Sequence, residues 1–307
     1  MHITANRLNF EVQKPTQIGN LSIFPLTSKL QSKKGEKYLF LDDALNQKLA
    51  DVSEVSEKPE LDFFRKLKVV NKSSQGLLIL GGEQIIGHQL RQNRIVSYSV
   101  LIPANSSAIV KVNCGEKKRW SPHVNNEISI SKFLYFSRAN LDRQFKIWSD
   151  ISRKLKDYQI KTFTQSIQEI YKKTEANNDR TINFQPGIYD IGLAIGSNNK
   201  IRSVDFFESP YILKKYFKKI IRSASLNNGF VKSKYKSHLK EQDVHNFLEE
   251  SSKRIYKSEE ETLGSRIEFY GQSINGSALL NENNIVHCSI FMEDKVVKDP
   301  ERLYDAA

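Results

Sequence analysis

The stretch "GGEQIIGHQLRQNRIVSYSVLIPANSSAIVKVNCGEKKRW", Gly81 to Trp120, decides how the chain is read. Ile95 to Ile102 and Ile109 to Val112 are β-branched and apolar, and Pro103 to Ser107 supplies a turn between them. Around these strands sit Glu83, Gln84, Gln92, Asn93, Arg94, Cys114, Glu116, Arg119 and Trp120. Such groups at the ends of core strands either tie turns together or face a ligand.

Working outward, "LDFFRKLKVVNKSSQGLLILGGEQIIG" reads as a second strand pair, turning at Asn71 and Gly76. Leu21 to Leu26 is a short strand, and Leu45, Leu49 and Val52 are spaced like a short helix. The first 120 residues are therefore largely β. From Ala139 to Ala176, Leu141, Phe145, Trp148, Leu155, Phe163, Ile167 and Ile170 follow a helical stripe, as one helix or as two broken near Asp157. "EANNDRTINFQPG" is the best boundary. Ile188 to Ile195 and Ile201 to Phe207 follow as strands around the turn "GSNN". Ser209-Pro210 opens a helix with the stripe Leu213, Phe217, Ile220 and Ala224, and a second helix covers Lys240 to Lys257. "SRIEFYGQSINGSALLNENNIVHCSIFM" holds two closing strands. The expected fold is α+β: antiparallel sheets with a long helical segment and basic amphipathic helices packed on them. Residues 1–138, 139–185 and 186–307 form its three parts within one integrated unit.

The 307 residues are 39% hydrophobic and 27% charged, with a formal net charge of +12. That surplus favours polyanionic partners, although abundant Lys, Asn and Ile also fit an AT-rich coding bias. No apolar run approaches the roughly 18 to 20 residues of a membrane span. "MHITANRLNFEVQ" lacks a signal-peptide layout, so a cytoplasmic location is expected. Cys114 and Cys288 make no disulfide framework. The histidines show no HxH or HxxxH spacing, and neither a Walker-type loop nor a GxSxG elbow occurs. No metal or cofactor is assigned.

Three constellations carry chemistry. Glu83 follows Gly81-Gly82, where a carboxylate can take a ribose hydroxyl or act as a base, and "RQNR" adds guanidinium and amide groups suited to phosphates and base edges. The plainer reading is a polar turn with Glu83 and Arg94 as a buried ion pair. In "NCGEKKRW", Trp120 beside Arg119 can stack a base, and Cys114 is a buried structural thiol. Glu83, Arg94, Glu116 and Arg119 are expected to converge in one pocket. The third constellation is Pro210 to Lys240, basic, with interleaved aromatics and no acidic residue. Its Lys214, Lys215, Lys218, Lys219 and Arg222 should point outward from the apolar stripe, to bind nucleic acid or merely to be solvated.

"GGEQIIG", "RQNRIVSYSVLIPANS" and "VNCGEKKRW", with the later "GLAIGSNNKIRSVDFFESPYILKKYFKKIIRS" and "VHCSIFM", resemble the ARG and rhodanese-phosphatase-superfamily-associated proteins. The resemblance implies a prokaryotic domain found near ADP-ribosylglycohydrolases, in immunity or conflict settings. It makes Glu83, Gln92, Asn93, Arg94, Cys114, Glu116, Arg119 and Trp120 the family's polar cluster here. The function expected is recognition or processing of a nucleotide-type ligand: ADP-ribose, NAD or a modified nucleic-acid end. Glu83 and Glu116 would be catalytic, while Gln92, Asn93, Arg94, Arg119 and Trp120 would hold the ligand. The alternative is a non-catalytic nucleic-acid- or protein-binding module of a defence system, with a partner protein encoded nearby.

Overall fold

The computed structural model describes residues 10–28, 37–55, 65–87, 90, 92–118, 128–141, 143–179, 182, 184–228, 238–252, 255–270, 273–282 and 284–292. The expected site residues Arg119 and Trp120 lie outside the described residues.

The largest element is a nine-stranded antiparallel sheet. From the N-terminal part it takes β1 (Glu11–Val12), β2 (Thr16–Ile18) and β3 (Leu21–Thr27). The rest are β13 (Asp190–Ser197), β14 (Lys200–Phe207), β15 (Ile255–Glu260), β16 (Ser265–Tyr270), β17 (Ile274–Asn281) and β18 (Asn284–Met292). β3 pairs with β13, so residues from 1–138 and from 186–307 share one sheet. The β13–β14 turn places Asn198 and Asn199 at positive φ, the geometry a two-residue hairpin requires.

The N-terminal part holds two smaller sheets. One is three-stranded: β4 (Tyr38–Phe40), β7 (Gly76–Ile79) and β10 (Val100–Ile102). The other comprises β5 (Ala50–Glu54), β6 (Lys66–Asn71), β8 (Gln84–Gly87), β9 (Arg94–Val96), β11 (Ser106–Cys114) and β12 (Ile128–Ile130). β11 shows why it is a strand: Ala108, Val110 and Val112 face the core while Ile109 and Lys111 alternate outward. Leu77 and Ile79 of β7 pack towards the six-stranded sheet, and Leu78 and Leu80 pack the other way against α4 (Pro210–Asn228). A strand covered on both faces reads as an unbroken apolar run.

One expected pair does not form, and the other forms only in part, through β9 and β11 at Val96 and Val112. β6 and β7 lie in different sheets, because Asn71 builds a corner rather than a hairpin. Its Nδ2 donates to the carbonyls of Gln75, Ile102 and Pro103, and its Oδ1 accepts from Ser73 N–H and Oγ. Ile95 to Ile102 likewise breaks at Ser97–Ser99, and β9 and β10 join different sheets. The first helix, α1 (Leu41–Asn46), stops before Lys48, at φ 58°, and Leu49–Val52 turns into β5. The 139–176 segment is two helices, α2 (Gln144–Asp157) and α3 (Ile167–Asp179), with the break after Asp157. The last helix, α5 (Glu241–Ser252), ends early because residues 255–260 pair as a strand with β16.

α4 lies between the nine-stranded and three-stranded sheets through Leu213, Tyr216, Phe217, Ile220 and Ile221. α5 covers the opposite face of the large sheet with Val244, Phe247 and Leu248. Each such buried side chain contributes about 1.5–3 kcal/mol. α2 and α3 close a further core with Ile95, Phe133 and Tyr135. The architecture is α+β and mainly antiparallel.

Candidate functional site

The structure sends Glu83, Arg94 and Glu116 to three separate polar nodes. Gly82, at φ 90°, turns the chain so that the Glu83 carboxylate faces α4. There it accepts from Lys219 Nζ (2.8 Å), Tyr216 Oη (3.1 Å) and Leu80 N–H (3.1 Å). Asp42 of α1 also reaches Lys219, and Asp42 and Asp43 hold Lys215. Burial opposes charge on Lys219, but Glu83 and Asp42 outweigh it and raise its pKa. Burial and the neighbouring Glu83 keep the Tyr216 phenol protonated far above its usual range. This node fastens α1, the Gly81-Gly82 turn and α4 together, and all the Glu83 carboxylate's contacts are internal.

That arrangement corrects the basic-face expectation. Lys215 and Lys219 do not point into solvent, and Arg222 is half-buried, its guanidinium bonded to Lys132 O and lying over Phe133. Only Lys214 and Lys218 of the five are exposed. The reason is that α4 is covered on two sides, whereas the sequence shows only one apolar stripe.

Arg94 points to the Val96 side of β9. It donates to Cys114 Sγ (2.8 Å) and to Glu54 Oε1 (2.7 Å). Neither Glu83 nor an open surface receives its fork, so the expected Glu83–Arg94 pair is absent. Burial lifts the Cys114 thiol above its usual range despite the adjoining Arg94. Cys114 is a packed thiol, buried and hydrogen-bonded by Arg94.

A fourth node joins the N-terminal sheets to the large sheet. Ser99 Oγ accepts from Gly81 N–H (3.0 Å) and lies 2.8 Å from His287 Nδ1, while His287 Nε2 is 3.4 Å from Asp205 Oδ1. The ionised Asp205 can only accept, so Nε2 carries the proton and Nδ1 of the neutral ring accepts from Ser99 O–H. This is the order of a hydrolase triad, but Arg138 grips both Asp205 oxygens at 2.7 Å. Burial raises the Asp205 pKa, yet Arg138 and His287 outweigh it and bring it to about 2. A carboxylate neutralised in this way is a poor partner for a catalytic histidine, and Ser99 is buried. The node is a clasp between sheets.

The remaining node has the character of a binding site. Glu116 Oε1 accepts from Asn93 Nδ2 and from Ser166 Oγ (3.2 Å), and Trp148 Nε1 donates to the Glu116 carbonyl (3.2 Å). Gly115 ties the two segments together, its N–H donating to Asn93 O and its carbonyl accepting from Ile167 N–H at the start of α3. Gln92, next in sequence to Asn93, is wholly buried, and among the described residues neither of its amide atoms has a hydrogen-bond partner. On the other side Gln165 precedes Ser166 at φ 52°, and its buried Oε1 is also unpartnered. Leaving such a group unpaired costs about 1–3 kcal/mol, so a wholly orphaned carboxamide at Gln92 and an unpaired amide oxygen at Gln165, flanking one node, mark it out. Gln92, Asn93 and Glu116 were legible in the sequence. Gln165 and Ser166 were not, although Ser166 before Ile167 is a recognisable capping signal: its Oγ accepts from Gln168 N–H. Gln84 lies alongside, bonded to Tyr171 and Gln168.

Among the described residues no group of acidic, His or Cys side chains could hold a metal ion, and no helix is long and apolar enough to cross a membrane. Fold and site together define a mainly antiparallel α+β protein in which α2 and α3 border an incompletely satisfied amide–carboxylate node. The chain belongs to the ARG and Rhodanese-Phosphatase-superfamily-associated Protein domain family, whose profile matches residues 9–291, nearly its whole length. Neither the curated proteins nor the solved structures gave a match.

Proposed function

We propose that the protein recognises a nucleotide-type ligand through its adenine ring, at the node formed by Gln92, Asn93, Glu116 and Ser166. The observation that carries this reading is Gln92: a buried carboxamide with both donor and acceptor unpartnered. A glutamine amide complements the adjacent N6 donor and N7 acceptor of adenine in a bidentate pair. ADP-ribose and NAD both carry that ring, as does an adenine-ended nucleic acid. Glu116 is the carboxylate for a ribose hydroxyl, or for a general base in turnover. Glu83 and Arg94 leave the ligand set, since their charges are spent inside the protein.

The test is calorimetric titration with ADP-ribose, NAD, AMP and, as control, UMP, on wild type and on Gln92→Met. Adenine ligands should bind and UMP should not. Gln92→Met should lose adenine binding while matching or exceeding the wild-type melting temperature, because an apolar isostere relieves the unpaired amide. A marked loss of stability in Gln92→Met, or equal affinity for UMP, sinks the reading.

A further inference from the structure

We infer that the adenine ligand is the terminal nucleotide of a single-stranded nucleic acid, whose neighbouring bases stack on an aromatic platform made by Phe145, Trp148 and Phe163. The inference rests on the Gln92 reading and extends it across the adjoining surface.

Phe145 is 67% exposed and Phe163 is 82% exposed. Exposing two phenyl rings so fully is unfavourable unless something covers them. Both stand next to the node. Trp148 is pinned by its bond to the Glu116 carbonyl, and the Phe145 ring meets it edge-on, with centroids 6.0 Å apart at 85°. Phe163 is placed by its neighbour Thr164, whose carbonyl accepts from the N–H groups of Lys117 and Lys118 (3.2 and 3.1 Å). The chain therefore leaves Glu116 directly into two exposed lysines that run beside Phe163, with exposed Lys161 two residues away.

The charge identifies the occupant. Among the described residues none of Lys117, Lys118 and Lys161 pairs with a carboxylate. The acidic groups nearby are spoken for: Asp150 is buried against Lys146 and Arg153, and Glu169 pairs with Lys172. Asp157, at the end of α2, is the exception, and it is exposed. Rings interleaved with unpaired cations suit bases on a phosphate backbone, since every base has a stacking face and every phosphate a charge. A base-paired duplex would hide the faces the rings need, so the strand is single.

The experiment compares AMP with labelled oligoadenylates of two to six nucleotides, and with duplex of equal length, on wild type, Phe163→Ala, Phe145→Ala and the pair Lys117→Glu/Lys118→Glu. Both rings are exposed, so these variants should fold. Oligoadenylate should bind tighter than AMP and tighter than duplex. Each phenylalanine variant should lose roughly 5- to 150-fold for the oligonucleotide, the span that one stacked base implies, with AMP affinity unchanged. The lysine pair should flatten the salt dependence. If AMP binds but chain length and Phe163→Ala make no difference, this inference falls and the adenine reading stands. If AMP and oligonucleotide binding are both indifferent to Gln92→Met, the adenine reading itself falls. A dimer in sedimentation that Phe163→Ala dissolves, without any effect on oligonucleotide binding, assigns the platform to a second copy of the chain and overturns the inference.

Discussion

Lys219 Nζ lies 2.8 Å from Glu83 Oε1, and only 8% of Lys219 is exposed. A lysine from the most basic helix of the chain thus neutralises the carboxylate that the Gly81-Gly82 turn drives inward. Both ions are out of water, and what each contributes depends on the other.

Removing one partner strands the other. Lys219→Met should destabilise the fold by about 3–5 kcal/mol, the usual penalty for an uncompensated buried charge. Lys219→Met combined with Glu83→Gln should recover much of it. Urea unfolding of the two singles and the double checks this, and additive losses would show that the two ions do not depend on one another.

The sheet clasp should make the protein acid-sensitive in two stages. Burial lowers the His287 pKa, so the unfolded chain takes up a proton below about pH 6.5 while the folded chain resists it. Stability therefore falls as pH drops through that range. Asp205 is depressed to about 2, so its contribution is intact above the ordinary carboxylate range and is lost between roughly pH 4 and 2. Urea midpoints from pH 8 to 3 should show both limbs. His287→Gln should remove the upper limb, and a profile unchanged by that substitution would count against the assignment.

Cys114 should be inert. Burial raises both its thiol and that of Cys288, which is driven well above the usual range. Neither should react with a thiol reagent in the native state within minutes, and both should react in urea. Cys114→Ala should leave ligand affinity within a few-fold. Rapid native labelling of Cys114 that tracks with loss of binding would make it functional instead.

The outer face of α4 should be a weak anion site. With Lys215 and Lys219 committed to Asp42, Asp43 and Glu83, reversal of Lys214 and Lys218 to Glu should change the log–log salt slope for duplex DNA by no more than about 2. Lys215→Glu should appear instead as lost stability, through repulsion by Asp42 and Asp43. Filter binding at several salt concentrations separates the two effects.

What the sequence revealed was local. The Asn198-Asn199 turn, the break after Asp157 and the Ser209-Pro210 helix start all depend on residues a few positions apart. The sheet partners did not. Nothing in "NKSSQG" says that Asn71 will bond the carbonyls of Ile102 and Pro103 and turn a hairpin into a corner. Ser97–Ser99 carries no glycine or proline to announce the strand break. The site divides the same way. Gln92, Asn93 and Glu116 stood out as polar residues at strand ends. Their separation from Glu83 and Arg94 is set by which side of the strand each side chain takes, and by charges arriving from Glu54 and from α4. The composition of α4 suggested an outward face, because one apolar stripe is visible in sequence whereas burial on a second side requires the three-stranded sheet.

The pairing of β3 with β13 carries a cost in time. Leu21, Ile23, Phe24 and Leu26 are fully buried, yet Thr27 and Asp190, bonded across that pair, are 163 residues apart in the chain. A ribosome making roughly 5–20 residues per second delivers β13 some 10 to 30 seconds after β3. For that interval the apolar strand has only the short β1 and β2 to pair with, and its β13-side edge is open to other nascent chains. The large sheet can therefore close only once β13 to β18 have been made, which predicts a yield sensitive to translation speed as well as to final stability.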